Sequence, residues 1–123
     1  MTRPSIEFPA DNIERARLFY EQVFGWRMQH LPEIDYTLIL DPETESTGGG
    51  DFIGGITARN ADVNRTVVPI ITVTSIAAHI EKAEAAGGKI LTRRTEVGEY
   101  GFSSYLEDSE GNVICLWEDA TPA

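Results

Sequence analysis

At 123 residues the chain is long enough for one domain with one hydrophobic core. Hydrophobic residues make up 41% and charged residues 24%, as in an ordinary water-soluble domain, and no apolar run approaches the ~20 residues of a membrane span. Ten Lys and Arg against twenty Asp and Glu leave a net charge of −10. That balance repels phosphate backbones and anionic lipid, so nucleic acid and membrane surfaces are not expected partners, while a cationic ligand is compatible with it.

The start, Met1–Phe8, has no apolar stretch suited to a secretory signal, and the single cysteine, Cys115, cannot staple a monomer. Both features point to a reducing cytoplasm. Ser5–Phe8 is predicted as a short strand ended by Pro9. Asp11 or Asn12 then caps a helix whose first turn carries Glu14. Ile13, Ala16, Phe19, Tyr20, Val23 and Phe24 fall at helical spacing, and Gly25 supplies the stop. Trp26–His30 and Tyr36–Leu40 alternate like strands. Asp41–Gly50 is a polar loop, and Phe52–Ala58 is a further strand with Gly54 and Gly55 in its middle. The polar stretch Arg59–Arg65 is expected to be a hinge.

The second half follows the same order. Val67–Val73 is an apolar strand, Thr74 or Ser75 caps a helix carrying Ile76, Ile80, Ala83 and Ala86, and Gly87-Gly88 stops it. Lys89–Thr92 is expected as a strand, followed by a loop. Gly101–Leu106 is the next strand, Asp108–Asn112 a tight turn, and Val113–Trp117 the last strand. A shift of about 63 residues superposes Asn12 on Ser75, Ile13 on Ile76 and Gly25 on Gly88. The expected fold class is α+β: one domain, residues 1–123, of two βαβββ modules (1–60 and 66–120). Each module has one helix for one sheet face, so a curved mixed sheet around a cleft is expected. Exposed sheet edges and a half-open groove favour a homodimer.

Asp11-Asn-Ile-Glu-Arg-Ala-Arg-Leu-Phe-Tyr20 with Val23-Phe-Gly-Trp26 resembles the first module of the glyoxalase/bleomycin-resistance/extradiol-dioxygenase superfamily, the vicinal oxygen chelate fold. Ala85-Ala-Gly-Gly88 and Glu107-Asp-Ser-Glu-Gly-Asn112 resemble its second module. The likeness covers nearly the whole chain. It implies the paired-module fold but leaves function open among lyases, epimerases, dioxygenases, thiol transferases and drug-sequestering proteins. Enzymes of the family bind a divalent metal with His, Gln and Glu side chains. The resemblance puts those positions at Ser5, Gly54 or Gly55, Val68 and Cys115. Such ions want imidazole and carboxylate, so no metal and no other cofactor is expected.

Cys115 therefore reads as pocket lining, since no basic residue is placed to make it a thiolate. Glu7 shares a strand face with Ser5 and is the sharpest single candidate. A buried carboxylate must be satisfied, either by a ligand cation or hydroxyl, by work as a general base, or by pairing with an arginine. His79 takes the place that the repeat gives to Ala16 and reads as a helix-surface residue. His30 ends a strand and reads as a rim residue. Neither His has a Ser or Cys partner at a motif spacing. Ser46–Asp51 lacks the Lys-Ser/Thr and helix of a phosphate loop and reads as a hairpin loop. Arg93-Arg94 reads as an exposed strand pair.

The expected ligand-binding set is Ser5, Glu7, Trp26, Tyr36, Phe52, Phe102, Tyr105, Cys115 and Trp117, with Glu7 the only catalytic candidate. The ligand is expected in the groove between the modules, touching Glu7. The leading function is a small-molecule-binding, metal-free member of the superfamily. The alternatives are a glyoxalase-like lyase or isomerase with Glu7 as general base, and an antibiotic-sequestering protein.

Overall fold

A computed structural model describes residues 4–40, 52–60 and 62–120. The expected polar loop Asp41–Gly50, the Ser46–Asp51 stretch and the side chain of Phe52 lie outside the described residues. The fold is α+β. It divides into two compact units, one spanning Ser5–Val67 and one built on Val68–Ala123.

The first unit runs β1 (Ser5–Ala10), α1 (Ile13–Phe24), β2 (Arg27–Leu31), β3 (Tyr36–Leu40) and β4 (Phe52–Ala58). Its strand order is β2-β3-β4-β1; β1 and β4 are parallel and the other pairs antiparallel. The second unit runs β5 (Val68–Thr72), α2 (Ile76–Ala85), β6 (Lys89–Ile90), β7 (Thr95–Val97), β8 (Gly101–Glu107) and β9 (Val113–Asp119). Its order is β5-β9-β8-β6, with β7 also on β8 and β5 parallel to β9. Each unit is thus a βαβββ module whose edge strand, β2 in one and β6 with β7 in the other, lies farthest from its first strand.

The helix starts are the most faithful part of the repeat. Asn12 and Ser75 both sit in extended backbone, and each side chain accepts the amide three residues on, Arg15 N at 2.9 Å and Ala78 N at 3.1 Å. The helix ends diverge. Gly25 closes α1 in the left-handed region (φ 69°), whereas in the second module that conformation belongs to Gly87 (φ 95°), not to Gly88, the partner expected from the 63-residue shift. The N–H of Gly88 instead donates to the Ala83 carbonyl at 2.8 Å.

Four strand expectations need correction. Pro9 does not end β1; it stands opposite Thr57 in a parallel pair, and the strand runs on to Ala10, whose carbonyl accepts the Arg59 N–H at 3.0 Å. Lys89–Thr92 is a strand only as far as Ile90. Both Leu91 N and Thr92 N then donate to the Tyr105 carbonyl, a local bulge stitched by Tyr105 N donating to Thr92 Oγ1 and by Ser104 Oγ donating to the Thr92 carbonyl. Beyond the bulge the edge resumes as β7, in a region expected to be loop. Arg93 and Arg94 consequently lie between two strands rather than in one.

Each helix covers one face of its own strands. In the first module, Ala10, Ile39 and Ile56 are buried with Phe8, Ile13, Ala16, Tyr20, Trp26 and Met28 around them. In the second, Ile76, Ile80, Leu106 and Leu116 are buried with Ile71, Val73, Ile90, Phe102 and Ile114 around them. A full Ile or Leu burial of this kind stabilises by about 1.5–3 kcal/mol. Of the six apolar positions read on α1, only Ile13, Ala16 and Tyr20 pack on this core; Phe19, Val23 and Phe24 are exposed.

Candidate functional site

Strand alternation sends Ser5, Glu7 and Pro9 to the face of the first module that α1 does not cover. Glu7 stands beside Gly55 in β4, and Gly55 beside Leu38 in β3, so these three form one cross-strand row. Two residues before Leu38, Tyr36 shares that face. Its ring occupies the space over Gly55: a Cβ there would meet Tyr36 Cε2 at 2.1 Å and the hydroxyl oxygen at 2.2 Å. Laid over bare backbone, the ring brings its O–H to Glu7 Oε1 at 3.3 Å. Glu7 is only 3% exposed. Gly54 has a different role, because a Cβ there would strike the Ile6 carbonyl at 2.0 Å, so it permits the close approach of β1 and β4.

In the second module the uncovered face gathers Val68, Ile70 and Cys115, all buried, with Tyr105, Val113 and Trp117 packed on them. Ile70, Cys115 and Tyr105 form the matching cross-strand row. The indole of Trp117 lies over Gly101, where a Cβ would meet Cζ2 at 2.7 Å, and its Nε1–H donates to Asp119 Oδ1 at 2.8 Å. Asp119 was not anticipated, although its i, i+2 spacing from Trp117 on a strand was the signal that places both on one face. Cys115 is 3% exposed and its Sγ lies 3.6 Å from the Leu116 carbonyl.

The remaining residues of the expected set stand elsewhere. Trp26 is on the helix-covered face of the first module, stacked on Tyr20 at 5.4 Å and Phe24 at 5.1 Å. Phe102 is on the α2 face of the second, with the Arg94 guanidinium 3.5 Å above its ring. The structure brings neither of them to the strand face of Glu7 or of Cys115. His79 Nδ1 is 2.8 Å from the Ser75 carbonyl, which fixes it to the turn that starts α2. His30 is half-exposed, with Nδ1 3.0 Å from Thr37 Oγ1 and Nε2 3.5 Å from Asp35.

A second carboxylate was missed. Glu118 accepts the Ile76 N–H on one oxygen at 2.8 Å and the Arg94 guanidinium on the other at 2.8 Å. The Arg94 hydrogen bond, with help from the Ile76 amide, holds its carboxyl below the ordinary glutamate value. Asp108 is likewise lowered by the Asn112 and Glu110 amides that its turn aims at it. Both groups are structural. Glu118 gives α2 a cap besides Ser75, and Asp108 closes the turn before β9.

A family model of the glyoxalase-like domain matches residues 5–117. The chain belongs to the glyoxalase-like domain family. A glyoxylase-like domain-containing protein from Didymella fabae is 29% identical over 115 residues, covering 90% of this chain and 88% of the relative. Among solved structures, a glyoxalase/bleomycin resistance protein/dioxygenase superfamily member from Vibrio splendidus 12B01 has a TM-score of 0.63 at 11% identity, covering 97% of this chain and 100% of that one. A structure described as an NAD-dependent benzaldehyde dehydrogenase from Legionella pneumophila has a TM-score of 0.69 at 10% identity, covering 95% and 99%. At such identities these two likenesses show the fold alone.

Membership in the superfamily raises the question of its divalent metal. Of the positions that would hold it, Ser5 offers a hydroxyl, Gly55 no side chain, Val68 a fully buried isopropyl group and Cys115 a buried thiol. Among the described residues no three His, Cys, Asp or Glu are close enough together to hold an ion. This donor set does not fit the metal.

Proposed function

We propose that this glyoxalase-like domain is a metal-free, cytoplasmic small-molecule-binding protein, and that its ligand is recognised on the strand face carrying Glu7 and Tyr36. One observation carries the reading. At the equivalent place in the two cross-strand rows the second module has Ile70 and the first has Glu7. The βαβββ framework is satisfied by an aliphatic residue there, whereas a carboxylate withdrawn from water costs several kcal/mol before its partners offset it. Gly55 supports the same reading, since it clears the backbone so that a phenol can reach this carboxylate. A cation or hydroxyl on a ligand matches the chemistry of a carboxylate held beside a phenol. Calorimetric titration with cationic and polyhydroxylated compounds tests it: Glu7→Gln should weaken binding at least about tenfold, the loss of one charge-assisted hydrogen bond. Equal affinity in wild type and Glu7→Gln contradicts it.

The pairing of a proton acceptor with a phenolic donor 3.3 Å away also favours a second reading, a lyase or isomerase in which Glu7 is the general base. Turnover of a substrate with an acidic C–H, lost in Glu7→Gln while binding persists, would select it. Sequestration of a cationic drug uses the same carboxylate and is distinguished by tight binding without turnover.

A further inference from the structure

Tyr36 enters β3 from a strained turn. β2 ends at Leu31 and β3 starts at its cross-strand partner Tyr36, so residues 32–35 close the hairpin. The Leu31 carbonyl accepts the Ile34 N–H at 3.3 Å, and the chain leaves the turn through Asp35 at φ 50°. Among the described residues Asp35 is the only non-glycine in the left-handed region. L side chains adopt that conformation at a cost, and it persists where neighbours over-determine it. His30 is such a neighbour. It stands opposite Thr37 in the β2–β3 pair, with Nδ1 3.0 Å from Thr37 Oγ1 and Nε2 3.5 Å from Asp35 Oδ1. One imidazole thus holds both residues that flank Tyr36.

We propose that His30 is a positioning residue: by clasping Asp35 and Thr37 from the opposite sheet face it sets Tyr36 against Glu7, and it makes that contact respond to pH. The inference rests on the reading of the Glu7–Tyr36 face as the ligand site. Thr37 is 1% exposed and shares with Ile39 the face that α1 covers, while Tyr36 between Asp35 and Thr37 points the other way, over Gly55, to Glu7 Oε1 at 3.3 Å. A slip of one residue in β3 would exchange the two, so what holds Thr37 opposite His30 also holds Tyr36 over Gly55. The carboxylate of Asp35 selects the neutral tautomer of His30: Nε2 carries the hydrogen, and Nδ1 accepts from the Thr37 hydroxyl. When the ring takes a second proton, Nδ1 becomes a donor, Thr37 must turn its hydroxyl hydrogen elsewhere although withdrawn from water, and the Asp35 contact gains full charge. Glu14 of α1 also faces this ring. Its carboxyl is held below the ordinary glutamate value chiefly by the hydrogen bond from Arg17, with a smaller pull from His30. Both changes at His30 act on the residues next to Tyr36, so the phenol should shift with them.

Nuclear magnetic resonance on the full chain, with carbon-13 in the tyrosine and histidine rings, tests the proposal. The Tyr36 ring signals are assigned by their absence in Tyr36→Phe. Between about pH 8 and about pH 5 they should move along the same curve as the His30 imidazole signals. His79 is the other histidine, so the movement should survive His79→Gln. It should vanish in His30→Gln, whose amide can still donate to Asp35 and accept from Thr37 but takes no proton. His30→Ala should displace the Tyr36 signals at every pH. Tyr36 signals that stay fixed while His30 titrates, movement that persists in His30→Gln, or equal Tyr36 signals in wild type and His30→Ala would overturn the proposal. These readouts need no ligand. Tyr36 following His30 in a protein that binds nothing through Glu7 would support the positioning role and count against the proposed function. Fixed Tyr36 signals with Glu7-dependent binding intact would do the reverse.

Discussion

Glu7 shows what one residue's setting can and cannot tell. Its strand face followed from alternation with Ile6 and Phe8, but its partner did not, because Tyr36 is 29 residues away and reaches it only across Gly55. The two adjacent glycines make a separable pair of predictions. Gly54→Ala pushes a methyl group into the Ile6 backbone and should cost about 2–3 kcal/mol, read as a lower urea midpoint. Gly55→Ala meets only a side chain, so the Tyr36 ring should swing away with a smaller loss of stability and a changed tyrosine near-ultraviolet dichroism, and the proposed function adds weaker ligand binding. Cys115 is packed with Val68 and Ile70, so Cys115→Ala should cost about 1 kcal/mol and Cys115→Ser more, because a hydroxyl replaces a weakly bonded thiol in an apolar cluster. Rapid modification of native Cys115 by a thiol reagent at neutral pH would contradict that placement. Trp26 and Phe102 were read as ligand candidates because they are aromatic; whether an aromatic residue faces the helix or the opposite side depends on strand parity, which shifts by one residue with a small error at a strand start.

At the level of elements, helix starts and the order of elements along the chain were legible, and edges were not. Asn12, Ser75 and Gly25 announce themselves through side-chain and backbone chemistry local to a few residues. The bulge at Leu91–Thr92 and the short β7 depend on pairing with β8, which no local signal states. Glu118 has the same character: it caps α2 from a strand 42 residues later in the chain. Glu118→Ala removes both the Ile76 cap and the Arg94 pair and should cost about 1–2 kcal/mol. Its pH dependence has a definite sign. Because the folded state lowers the Glu118 carboxyl, the stability it lends is complete above the unfolded glutamate value of about 4.3 and is lost as pH falls through the lower folded value. Asp108 acts in the same direction. Urea midpoints of Glu118→Gln should therefore fall less than those of wild type between about pH 6 and about pH 3; parallel acid limbs would contradict the assignment.

For the whole chain, the duplication was readable because both halves must solve one problem, a single helix covering one face of its strands, and each starts its helix with a polar side-chain cap and has glycine just past its end. What the halves do with the opposite face is not fixed by that problem, and there they part: Glu7, Gly55 and Tyr36 in one, Ile70, Cys115 and Tyr105 in the other. The proposed function rests on this difference. Metal analysis of protein purified without a histidine tag should find no stoichiometric divalent ion, since the equivalent positions offer a valine, a glycine and a buried thiol where imidazole or carboxylate is needed. The most direct test is a thermal-shift titration of wild type and Glu7→Gln, with and without a chelator, against divalent metals, glutathione adducts and cationic aromatic compounds. A ligand at 100 times its Kd stabilises by about 2.7 kcal/mol, or about 10 °C for a domain of this size. We expect an organic ligand to raise the Tm of wild type equally with and without chelator, and to lose most of that shift in Glu7→Gln. A shift produced by a metal and abolished by chelator, or an organic-ligand shift indifferent to Glu7→Gln, would contradict a metal-free site on the Glu7 face.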